Sequence, residues 1–146
     1  MDQRQSDPKV LGSVLKDNPG PADFLFLFFK GTASSQAAGT EFLQRLGQRT
    51  TDPDAPASLA TRDAQLTAMS EWGIPDKSKL VRLNALFQPV LVADGDSDML
   101  MPPENSRLLA KYLPNAQLSI YPNSGHGFLF QYAVKFGNQV NAFLDR

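Results

Sequence analysis

The chain has no cysteine, one histidine and one tryptophan among 146 residues. Without cysteine there is no disulfide, no thiolate metal site and no cysteine nucleophile, so redox compartment leaves no mark on the sequence. A single histidine leaves too few good ligands for a zinc site. Long apolar runs are missing too: the longest, residues 24–29, has six residues, against the roughly 20 that cross a bilayer. The first eight residues, Met-Asp-Gln-Arg-Gln-Ser-Asp-Pro, hold no apolar signal region. Neither sign of charge dominates, with 14 basic and 15 acidic side chains giving a net charge of −1, which disfavours a polybasic nucleic-acid binder. These features predict one soluble, cytoplasmic domain that engages neither nucleic acid nor membrane.

Apolar spacing divides the chain into two parts. Residues 8–16 read as a short helix with Asp7 as cap and Pro8 at its first position, and residues 18–21 (Asn-Pro-Gly-Pro) break the chain. Residues 23–30, DFLFLFFK, carry apolar side chains without alternation, as a buried strand or a segment packed on all sides would, and a helical turn or irregular buried segment in a cap is the favoured reading. Burial of such side chains is worth about 1.5–3 kcal/mol each. Ser34 or Ser35 is expected to cap a helix over about 36–48 that turns Phe42, Leu43 and Leu46 inward. A further helix over 58–72 uses Leu59, Leu66, Met69 and Trp72, and a short one follows at 77–86. Lys77, Lys79 and Arg82 read as a solvated face.

From Gln88 the pattern changes. A compact apolar strand ends at Ala93 and a polar loop, Asp94-Gly-Asp-Ser-Asp98, follows. Pro102 and Pro103 open a helix to about Tyr112. A second strand covers 117–121, a second polar loop runs Pro122-Asn-Ser-Gly-His126, and a last helix is expected over 128–144. This is a βαβα unit whose strands should be parallel with a right-handed crossover.

Both polar loops leave the carboxyl ends of neighbouring strands, where open α/β sheets place ligands. Asp98 and His126 are thus expected on one edge, within hydrogen-bonding reach. A carboxylate on an imidazole fixes its tautomer and stabilises the imidazolium, as a general base requires. Gly125 and Gly127 are expected to permit φ > 0 and to leave the ring uncrowded. A histidine that caps a helix or ties a turn fits the same spacing. Asp94, Asp96 and Asp98 alternate as in a calcium loop, but Met99 stands where the turn glycine belongs and Asn105 where the bidentate glutamate belongs. No metal or cofactor is expected.

Residues 88–146, QPVLVADGDSDMLMPPENSRLLAKYLPNAQLSIYPNSGHGFLFQYAVKFGNQVNAFLDR, closely resemble the carboxyl-terminal end of α/β-hydrolases. The resemblance rests on strand, Gly-x-x-Asp, Met-Pro, helix, strand, Ser-Gly-His-Gly and final helix, in that order. It implies that Asp98 is a triad acid and His126 a triad base. Residues about 22–73 resemble the helical cap of the same family. The resemblance implies a partial α/β-hydrolase fold, with a cap-like segment at 1–87 and the βαβα part at 88–146. Hydrolysis of small ester or acyl substrates is the implied chemistry.

One family signature is missing. The nucleophile elbow Gly-x-Ser-x-Gly occurs nowhere in the sequence. Gly12-Ser13 falls in a helical pattern, Ser34-Ser35 has no preceding strand, and Ser124 lies in the histidine loop. The chain therefore reads as a cap plus the last two strands. An isolated chain is expected to lack covalent hydrolysis, because triad members act as a unit. Chemistry would come from a partner chain supplying the missing half, or from His126 acting directly as a base. Two parallel strands leave open edges, which predicts a self-associating chain, most simply a two-fold dimer. A non-catalytic module that binds itself or a small apolar or ester ligand is the alternative.

Overall fold

A computed structural model describes residues 7–146, except for the side chains of Trp72 and Lys77. The packing role expected of Trp72, the solvated position expected of Lys77 and the reading of residues 1–6 lie outside that description. Helices α1 (Pro8–Val14), α2 (Pro21–Phe28), α3 (Ala33–Leu46), α4 (Leu59–Trp72) and α5 (Lys77–Val81) come first, with a 3-10 turn at Arg82–Ala85. Strand β1 (Val90–Gly95), α6 (Pro103–Tyr112), β2 (Ala116–Tyr121), α7 (Phe128–Gln131) and α8 (Ala133–Leu144) follow.

The amino-terminal helices start where local chemistry permits. Asp7 accepts the Lys9 amide at 2.8 Å, and Pro8 fills the first position, where no amide partner is needed. Residues 24–28 of the apolar run fall in α2, because Pro21 opens it and Asp23 accepts the Gly20 amide at 2.9 Å, and Phe29, in extended conformation, ends it. Burial of this run is partial: Leu27 and Phe29 are buried, whereas Phe24, Leu25, Phe26 and Phe28 are half-buried. The cap of α3 is Thr32 rather than Ser34 or Ser35. Thr32 has the extended backbone a cap needs. Ser35 lies inside the first turn, and its hydroxyl accepts the Lys30 amide at 2.9 Å and donates to Gln131 at 2.7 Å. The Gln36 side chain donates to the Leu25, Phe29 and Lys30 carbonyls, and so ties α3 to the end of α2.

The carboxyl-terminal unit is a two-stranded parallel sheet with α6 between the strands in sequence. Val90 faces Ala116 and the register continues to Gly95 opposite Tyr121. Pairing extends past the strands: the Asp96 amide donates to the Tyr121 carbonyl at 2.8 Å and the Ser97 amide to the Ser124 carbonyl at 2.9 Å. The final helix is broken rather than continuous over 128–144. Tyr132 leaves the helical region (φ −113°, ψ 36°). Its ring lies 5.4 Å from that of Tyr121 and its hydroxyl donates to the Pro122 carbonyl at 2.8 Å. Phe128 and Phe136 also pack on Tyr121, so an aromatic cluster takes the place of one straight helical face.

Several side chains expected inside are on the surface. Leu46 is 59% exposed, Leu59 49% and Met69 50%. Periodicity located these faces but supplied no second layer to cover them. Among the described residues, no helix is long and apolar enough to cross a membrane.

Candidate active site

The two loops converge because their backbones are sewn together. The Asp96 carboxylate accepts the Asn123 amide at 2.8 Å and the Ser124 amide at 3.3 Å. Asn123 takes φ 52°, a left-handed conformation that asparagine tolerates better than most residues. The Lys30 ammonium stands 3.5 Å from Asp96. Burial pushes the Asp96 carboxyl up, but Ser97, the two amides and Lys30 together hold it below its ordinary range.

Asp98 and His126 meet as their spacing predicts. His126 Nδ1 lies 2.7 Å from Asp98 Oδ2. The other oxygen, Oδ1, accepts the Leu100 amide at 2.7 Å and the Met101 amide at 2.8 Å. The carboxylate is 3% exposed and its charge is met by three donors, which fixes its orientation. With Nδ1 donating, the imidazole is held in the tautomer that leaves Nε2 free to accept a proton. Nε2 makes no hydrogen bond to the described residues, and the side chain is 38% exposed. The hydrogen bond that the imidazole donates to Asp98 raises His126 above its ordinary value of 6.5, outweighing burial. Phe28 meets the ring edge-on, with centroids 5.2 Å apart at 83°.

The flanking glycines work differently from the expectation. Neither has positive φ, and the ring is not uncrowded, because Phe28 touches it. The amino-terminal segment runs across the loop, and the Gly127 amide donates to the Phe28 carbonyl at 2.7 Å. A Cβ on Gly125 or on Gly127 would stand 2.9 Å from that same oxygen. Close approach of α2, not backbone handedness, therefore excludes side chains here.

The expected serine candidates are occupied elsewhere. Ser124 is fully buried and donates to the Tyr121 carbonyl at 2.9 Å. Ser34 accepts from Asn123 at 3.0 Å, and Ser35 bridges Lys30 and Gln131 as described. None of them bonds the imidazole.

The three loop aspartates separate in function. Asp96 ties the loops and Asp98 holds the histidine. Asp94 is 3% exposed; it accepts the Ser106 hydroxyl at 2.6 Å and the Gly95 amide at 2.7 Å. Among the described residues, no three or more His, Asp or Glu side chains gather as metal ligands would. Burial pushes the Asp94 carboxyl up to about 6; the Ser106 hydroxyl opposes this, and the charge of Asp98 reinforces it. Sequence reading weighed Asp94 only as a calcium ligand. Its position as the fifth residue of a six-residue strand, on a side chain that strands rarely bury, was the available signal.

These shifts set a pH dependence. Asp94 and His126 both bind protons more tightly in the folded chain than in the unfolded one. Asp94 then contributes stability below about 3.8 that is lost as pH rises through about 6. The His126 contribution is present below 6.5 and lost as pH rises through its higher folded value. Thermal denaturation should therefore show a lower Tm at pH 8 than at pH 5. Asp94→Asn should remove about 1 kcal/mol of that difference. An Asp94→Asn protein with the wild-type slope would contradict this assignment.

Beside the acid loop lies a cleft of about 290 Å³ lined by Val10, Leu11, Val14, Leu66, Met69, Ser70, Gly73, Met99 and Leu100. Apart from Ser70 its side chains are apolar, and its lining begins one residue after Asp98.

A family model described as the alpha/beta hydrolase fold matches residues 26–132. The chain belongs to this α/β-hydrolase family. An alpha/beta hydrolase fold protein from Chitinophaga pinensis superposes with a TM-score of 0.87 at 36% identity, over 99% of this chain and 52% of that one. RutD of Caulobacter sp. (strain K31), named as a candidate carbamate hydrolase, is 38% identical over 91 residues, which are 62% of this chain and 31% of that protein. The 2-hydroxymuconate semialdehyde hydrolase of Pseudomonas putida is 36% identical over 62 residues, 42% of this chain and 22% of that enzyme. The α/β-hydrolase chain thus spans about half the length of its structural relative and under a third of these two curated ones. It carries the partial α/β fold that the strand and loop order predicts.

Proposed function

We propose that Asp98 and His126 form the acid–base pair of a hydrolase acting on small esters or related acyl compounds. The observation that carries this reading is the 2.7 Å contact to Nδ1, with Nε2 left unbonded to the described residues. An Nε2 in that state can take a proton from an attacking hydroxyl and return it to a leaving group. The apolar cleft beside Asp98 supports an acyl or alkyl group of modest size. Relatives named as hydrolases support the class of reaction.

No Gly-x-Ser-x-Gly in this sequence supplies the hydroxyl that His126 would activate, and Ser124 is committed to a backbone carbonyl. Turnover of p-nitrophenyl acetate tests the reading. The chain is assayed alone and mixed with the part of the Chitinophaga pinensis relative that lies outside the match. Hydrolysis in either arm that depends on His126 supports the reading. Hydrolysis that is unchanged in His126→Ala, or none in both arms, overturns it.

A second reading, a self-associating module, is favoured by the sheet itself. Among the described residues β1 and β2 each pair with one strand only, and Leu118 of β2 and Val134 of α8 are exposed. An open parallel edge with apolar neighbours recruits another chain. Light scattering at low micromolar concentration should give twice the 16.0 kDa chain mass. A monodisperse monomer with a native CD spectrum would reject the dimer.

A further inference from the structure

We propose that Asp94 is a positioning residue that acts through Asp98: a second buried carboxyl that sets how tightly the Asp98 and His126 pair holds its proton. The inference rests on the hydrolase reading only in treating that pair as acid–base machinery.

Geometry carries it. Asp94 and Asp98 are both 3% exposed and leave the same strand end. The Asp98 amide turns back to the Gly95 carbonyl at 3.5 Å while the Gly95 amide donates to Asp94 at 2.7 Å, so both carboxyls leave one tight turn into the same buried place, where the charge of Asp98 raises Asp94 and that of Asp94 raises His126. The two are unequally supported. Asp98 receives two backbone amides and the imidazole. Asp94 receives one hydroxyl and one amide, with no cation among these partners. Two carboxyls in one low-dielectric place do not ionise independently, and the one with weaker support keeps its proton longer.

The ionisable groups around Asp94 are few. Asp98 comes from its own loop and His126 from the loop after β2. On α6 the side chain that meets it is Ser106, while Glu104, Arg107 and Lys111 are exposed. Asp96 is turned to Lys30 and Asn123, and Tyr121 of β2 is buried and spends its hydroxyl on Gln139. Asp94 therefore answers mainly to the pair, and the pair to it. With its proton on, Asp94 leaves a single negative charge beside the imidazole. Once that proton has gone to solvent, two negative charges favour the imidazolium and His126 holds its proton to higher pH.

The chain has one histidine, so an imidazole NMR titration reports this site alone. In the wild-type protein the His126 signal should show a midpoint above 6.5 and a second inflection near 6. Asp94→Asn keeps the shape and removes the charge. Its His126 midpoint should fall by about half a pH unit or more, and the second inflection should vanish. A folded Asp94→Asn protein with the wild-type midpoint and curve overturns the proposal. If that variant does not fold, the wild-type Asp94 carboxyl carbon decides. A midpoint well above the ordinary carboxylate range, with an inflection shared with His126, supports the coupling; a midpoint near 4 ends it. Ester assays do not enter, so failure of the hydrolase reading and failure of this coupling are separate results.

Discussion

Under the proposed hydrolase reading, ester hydrolysis should fall by about 10³–10⁴-fold when His126 becomes alanine. The imidazole is the one group here that can exchange a proton near neutral pH from a half-exposed position beside a buried carboxylate. Asp98→Asn tests the same pair from the other side. Its amide can no longer enforce the tautomer, and the largest cause of the raised His126 affinity disappears. The rate should therefore fall steeply, and the residual pH profile should move its midpoint down toward 6.5 or below it. The sign follows from the base role: activity needs neutral His126, so the rate rises with pH through the imidazole midpoint. Retention of activity within about twofold in either variant would remove the pair from the mechanism. A midpoint that does not move in Asp98→Asn would mean that the 2.7 Å contact does not govern the proton affinity.

Gly95→Ala should be the most damaging single methyl in the chain's carboxyl-terminal part. A Cβ there would stand 2.3 Å from the Gly125 carbonyl oxygen and 2.5 Å from that of Ser124. Both obstacles are backbone of the histidine loop, so no rotamer change relieves them. The loops must separate, and the bonds that hold them, Ser97 to Ser124 and His126 to Asp98, are stretched together. A loss of about 3 kcal/mol or more in urea unfolding is expected, with a displaced His126 NMR signal in whatever folded fraction remains. Gly31→Ala is the matched control. It has nothing within 4 Å of the added carbon and should stay within about 0.5 kcal/mol of wild type. A Gly95→Ala protein as stable as the control would show that the loop junction yields freely.

The site was readable to a large extent, and the reason lies in where its information is stored. Asp98 and His126 sit in loops that directly follow two apolar strands. A helix between those strands makes them parallel, and parallel neighbours send their following loops to one edge. Each step uses residues a few positions apart. Asp94 escaped because its meaning comes from Ser106 on α6 and from Asp98, partners that strand alternation does not specify. The glycines beside His126 were picked out correctly but explained wrongly. Their constraint comes from the Phe28 carbonyl, roughly a hundred residues away in sequence.

Helix positions show the same division. Thr32 displaced the expected serine caps because the turn's hydrogen bonds had already claimed Ser35 for Lys30 and Gln131. Tyr132 broke the last helix because its ring and hydroxyl belong to the cluster around Tyr121 and Pro122.

Sequence by itself determined the order of elements, the parallel pairing and the two residues that meet, since propensity, periodicity and turn chemistry act over short stretches of chain. Tertiary structure alone decided that Phe28 seals the histidine loop and that Ser106 of α6 holds Asp94. Those facts depend on atoms brought within 3 Å by the packing of separate segments, and no local pattern encodes such distances.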